Sequence, residues 1–98
     1  MAKRSPITRE AAQALAVQAL TYLAAEPERL VRFLDLAGLD PSSIRAAARD
    51  PRFLSGVLEH VAGDERLLLD FAESADVPPA EVDAAREALS GRWERDVP

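Results

Sequence analysis

The sequence predicts an all-α protein, a compact bundle of about six short helices. Three observations carry this. Apolar residues recur at three- and four-residue spacing in six successive segments. Proline, glycine and capping aspartates fall between those segments, where helices start and stop. No stretch alternates polar and apolar residues with the period of a strand. With 98 residues the chain makes one domain. A chain of that size buries roughly two-thirds of its unfolded surface. The expected boundaries are a tail over 1–7, a single helical domain over 8–91 and a second tail over 92–98.

The first helix is expected over about 8–25, with Leu15, Ala16, Ala19, Leu20 and Leu23 on one stripe. Pro27 then opens a second, because the residue before a proline avoids helical angles while proline itself suits a first helical turn. Its inward residues are Leu30, Phe33, Leu34 and Ala37, and Gly38 ends it in the left-handed conformation. Asp40 caps a third helix over 41–49, and Asp50 caps a fourth that starts at Pro51. The fourth carries Phe53, Leu54, Val57, Leu58 and Val61. Gly63 and Asp64 separate it from a fifth, with Leu67, Leu68, Phe71, Ala72 and Ala75 on its apolar side. Val77, Pro78 and Pro79 open a sixth, where Val82, Ala85 and Leu89 align before Gly91. The four glycines read as isolated helix terminators rather than a phosphate-binding loop.

The chain also echoes itself. At an offset of 38 residues, Leu20 meets Leu58, Leu30 meets Leu68, Phe33 meets Phe71 and Pro41 meets Pro79. Leu23, Leu39 and Ile44 meet Val61, Val77 and Val82. Two readings are open: two pseudo-repeated three-helix halves, or the chance likeness of two alanine-rich helical segments. Leu36, Leu39 and Leu69 lie off the main stripes and mark surplus apolar surface that a second copy could cover.

Charge is uneven. Residues 1–49 carry +2 and residues 50–98 carry −7, for a net −5. That balance disfavours general attraction to nucleic acid or anionic lipid. No cysteine is present, so disulfide and thiolate chemistry is excluded. Lys3 and Arg4 precede no apolar run, which reads against a signal peptide, and no run is long enough for a membrane span. The expected location is the cytoplasm.

The stretch "FLDLAGLDPSSIRAAAR", residues 33–49, has the outline of a helix-turn-helix. As a DNA reader it is poorly equipped, because Asp40 stands where a helix N-terminus would meet phosphate and Ala46, Ala47 and Ala48 offer nothing to base edges. His60, the only histidine, lies four residues before Asp64, a spacing that gives an ordinary charge-assisted helical contact. A catalytic zinc site takes three protein ligands and a general base needs a partner in a cleft; no such set surrounds His60 in sequence. The numerous carboxylates sit on polar faces, and Ser42 and Ser43 fit a first helical turn. Tyr22 reads as a core-edge residue, while Trp93 packs over the end of the core or anchors a partner.

The order of "PERLVRFLDLAGLDP", "IRAAARDPRFLSGVL" and "DERLLLDFA" resembles DUF3572, a family of small uncharacterised alphaproteobacterial proteins. The resemblance covers about residues 12–90 and implies an all-helical intracellular protein; it transfers no activity to named residues. The expected function is therefore a non-catalytic interaction or regulatory accessory module that needs no cofactor and binds another protein. Its contact residues are expected among Arg45, Arg49, Arg52 and Trp93, beside Arg29 and Arg32. The competing view of these arginines is that they are solvated, or paired with Glu26, Glu28 and Asp35. DNA binding through residues 33–49 is the alternative function.

Overall fold

In the computed structural model, which describes residues 7–90, every regular element is helical. The order is α1 (Arg9–Ala24), α2 (Pro27–Ala37), a 3-10 turn (Pro41–Ser43) running into α3 (Ile44–Ala47), α4 (Pro51–Ala62), α5 (Glu65–Ala75) and α6 (Pro79–Leu89). Starts follow the expected chemistry. Thr8 caps α1 by accepting from the Ala11 N–H at 3.0 Å, and Asp50 caps α4 by accepting from the Arg52 N–H at 2.9 Å. Asp64 caps α5 through the N–H groups of Arg66 and Leu67.

The core lies between α1 and α4, one from each half of the chain, with α6 packed on both. Its largest fully buried side chains are Leu23, Val57, Leu58, Val61, Phe71 and Val82. α2 rests on α1 and also touches α4; α5 rests on α4 and also touches α1. No buried position among the described residues is polar or charged, so the interior holds together by apolar packing alone.

The 38-residue echo is structural. Residues 27–37 and 65–75 form matching helices, and the two residues with positive φ fall at equivalent positions, Gly38 (70°) and Asp76 (60°). Each closes its helix with the same six-residue loop bond, Leu39 N–H to Leu34 C=O at 2.9 Å and Val77 N–H to Ala72 C=O at 3.0 Å. Ring contacts cross between halves reciprocally: Tyr22 packs on Phe71 with centroids 5.5 Å apart, and its mate His60 packs on Phe33 at 5.1 Å. Such reciprocity is the mark of an approximate twofold relation.

The third elements break the symmetry. Residues 41–49 do not form the expected continuous helix. A 3-10 turn gives way to one turn of α-helix, and Arg49 and Asp50 donate three residues back, to Ala46 and Ala47. Only Ile44 of this segment offers a large apolar side chain, and it is half-buried; Pro51 meanwhile holds Asp50 extended, at φ −93° and ψ 119°. The equivalent α6 buries Val82, Ala85 and Leu89 in the groove between α1 and α4. Ala37, expected to face inward, is exposed and lines an open depression between α2 and α4.

The equivalent left-handed positions respond oppositely to substitution. Gly38→Ala lowers unfolding free energy by about 1 kcal/mol, whereas Asp76→Gly raises it by up to about 1 kcal/mol, because only glycine occupies this region without a Cβ penalty. Urea denaturation of the two variants checks both signs.

Candidate interaction groove

Between α2 and α4 lies an open groove of about 550 Å³. Phe33, Leu36, Ala37 and Leu39 line one wall, and Arg52, Phe53, Gly56, Glu59 and His60 line the other. The floor is aromatic: the Phe33 ring lies 5.7 Å from Phe53 and meets His60 edge-on. Leu36 stands on the rim with 73% of its surface exposed, the most exposed large apolar side chain described. On the far side of the α4 ridge a second groove, about 590 Å³, shares Arg52, Gly56 and Glu59 with the first and reaches Leu89. Gly56 is thus a low saddle between two depressions.

Gly56 is the correction to the view that each glycine ends a helix. It sits in the interior of α4, where glycine costs roughly 1 kcal/mol relative to alanine. A Cβ built there meets nothing within 4 Å, so packing within the chain does not call for glycine. A glycine inside an otherwise regular apolar helix was the available sequence signal for this groove.

The pseudo-symmetric face of the same molecule serves as a matched control. There, the mates of Leu36, Arg52, Gly56 and Glu59 are Ser74, Ala14, Gln18 and Thr21. That face also carries a polar cluster. The Tyr22 hydroxyl donates to Asp70 at 2.9 Å, Arg29 pairs with Asp70 at 3.7 Å, and the Arg29 guanidinium lies 4.7 Å from the Tyr22 ring centroid. One cluster thereby joins α1, α2 and α5. Burial, followed by the bond to Asp70, raises the Tyr22 pKa above 10.0. The mates on the groove side are His60, Leu67 and Arg32, and among the described residues they form no hydrogen-bonded or ion-paired cluster. The same fold carries a polar cluster across three helices on one face and an apolar groove without that cluster on the other.

His60 feels the charge of Asp64 but forms no hydrogen bond or ion pair with it. The carboxylate caps α5, and the imidazole lies against Phe33. Burial lowers the His60 pKa below 6.5, and Arg32 adds to the lowering against the opposing pull of Asp64. Among the described residues, no group of three or more His, Cys, Asp or Glu is placed to hold a metal.

Of the sequence-selected contact residues, Arg52 lies in the groove, while Arg45 and Arg49 are exposed on and just after α3, away from its lining. None of the three side chains forms an ion pair among the described residues, and the expected pairing with Glu26, Glu28 or Asp35 is not seen. Trp93 lies outside the described residues. Sequence reasoning missed Phe33, Phe53 and Gly56 as site residues, having assigned them to core and helix ends.

A family model described as a protein of unknown function, DUF3572, matches residues 9–92. The chain belongs to this family. The match takes in all six helices and the whole groove of this DUF3572 chain. Comparison with curated proteins finds no match, and neither does comparison with solved structures. No helix among the described residues is long and apolar enough to cross a membrane.

The histidine gives the DUF3572 chain a pH signature. Its folded pKa lies below the unfolded value of 6.5, so the unfolded chain binds the proton first as pH falls. Its stabilising contribution is complete above 6.5 and is lost as pH drops through the folded pKa. Denaturant titrations between about pH 7.5 and 5.5 should show stability falling with acidification, and a flatter profile for His60→Gln.

Proposed function

We propose that this chain is a non-catalytic helical interaction module of the bacterial cytoplasm that docks a protein in the groove between α2 and α4. One observation carries the reading: the groove between α2 and α4 has an apolar, aromatic floor and an exposed Leu36 on its rim. Apolar pockets of this kind take the anchoring side chains of a partner, and the surrounding polar rim orients them. Arg52 and Glu59 provide that rim.

The geometry lends nothing comparable to DNA recognition. A reading helix must lie in the major groove and present several side chains, whereas α3 is one turn long and two of its four residues are alanine. A regulatory accessory role is compatible with the groove, since a module of this kind acts by occupying or presenting a surface.

Two substitutions test the docking without threatening the fold. Leu36→Ser gives the exposed rim residue the identity of its own pseudo-symmetric mate, Ser74. Gly56→Met projects a side chain into unoccupied space on the ridge. Affinity capture from the native host after nuclease treatment should recover a stoichiometric protein, this chain or another, with wild type and lose it with both variants. A partner retained by both variants, or co-purifying nucleic acid that leaves at higher salt, contradicts the reading.

A further inference from the structure

The outer ridge of α4 is self-complementary. Arg52, Gly56 and Glu59 fall within about 60° of one another around the helix axis, so they share one face. The glycine lies four residues after the cation and three before the anion, close to the midpoint of a span of about 10.5 Å. Both charged side chains are exposed and neither forms an ion pair among the described residues. Arg86, a cation near Glu59, is itself engaged at 2.8 Å by Asp83.

A helix carrying a cation and an anion on either side of a glycine saddle has a natural complement, which is the same helix turned end for end. We infer that the groove's occupant is a second copy of this chain, packed about a twofold axis through the two Gly56 residues with the α4 helices antiparallel. The inference rests on the docking reading above and names its partner. In that arrangement Arg52 of each copy faces Glu59 of the other, so one symmetry operation makes two ion pairs and leaves none of the four charges unpaired. Glycine at the crossing lets the two backbones approach, which explains a residue that packing within the chain does not require. Leu36 of each copy, beside the ridge, lies over apolar floor at Phe33 and Phe53 instead of water. The mates Ala14, Gln18 and Thr21 on the closed face carry neither the charges nor the saddle.

Sedimentation equilibrium on the full chain, with circular dichroism to confirm folding, tests this. Wild type should be a concentration-dependent dimer. Arg52→Glu and Glu59→Arg should each weaken dimerisation roughly tenfold or more, because each places two like-charge pairs at the symmetric contacts. The double variant Arg52→Glu with Glu59→Arg restores opposite charges and should recover the dimer. Gly56→Met should be monomeric yet at least as resistant to denaturant as wild type, since it replaces a helix-interior glycine. A wild type that stays monomeric overturns the inference, as does a dimer indifferent to the single charge reversals or a double variant that fails to recover. If wild type is monomeric but a different protein is still captured through Leu36, the docking reading stands and only the second copy is lost. If nothing is captured in a groove-dependent way, both are lost.

Discussion

The packing of α1 against α4 is the constraint on which the rest of the structure depends. Each is the first helix of its half, and each presents small residues and branched aliphatics, Ala16 and Ala19 against Leu54 and Val57 as equivalent positions. Small side chains on one helix let the two approach closely, and the aliphatics on the other fill the space. Neither half could hide its own stripe alone; the contact buries both at once. From it follow the reciprocal placement of Phe33 and Phe71 and the single shared groove that α6 fills. Once α6 lies there, the equivalent segment 41–49 has no comparable seat, and it collapses to a 3-10 turn and one helical turn.

Symmetry in the backbone and asymmetry in the side chains then divide the labour between faces. Where α5 meets α1, Tyr22, Arg29 and Asp70 close the surface with a hydrogen bond, an ion pair and a cation over an aromatic ring. The ion pair is solvent-exposed, and such pairs contribute little each, about 0–1 kcal/mol. Their value is in joining three helices. Where α2 meets α4, the equivalent residues are His60, Leu67 and Arg32, which cannot form that cluster. The groove lies on the side of the fold that lacks this cluster.

Much of this fold was legible in the sequence because its signals are local. Pro27, Pro51 and Pro79 each begin a helix, Gly38 ends one, and the aspartates at 40 and 50 cap the elements that follow. The repeat was legible too, since apolar character at Leu20, Phe33 and their mates is set by burial. Three features were not. The collapse of residues 41–49 depends on which half's third element occupies the groove between α1 and α4, a tertiary competition with no local trace. The edge-on contact of His60 with Phe33 joins residues 27 apart in sequence, and Asp64 caps α5 instead of bonding the imidazole. The groove was hidden because Phe33 and Phe53 look the same in sequence whether they finish a core or floor a depression; only Leu36, off the stripe, and Gly56, inside a helix, departed from the fold's own grammar.

The central claim is the proposal that the groove face, and not its pseudo-symmetric mate, is the docking surface. Backbone amide NMR spectra recorded across a range of protein concentrations test it most directly. The account predicts concentration-dependent shifts concentrated at Leu36, Arg52, Gly56 and Glu59, with Ser74, Ala14, Gln18 and Thr21 unmoved. Shifts centred on the second set, or equal on both faces, would contradict it.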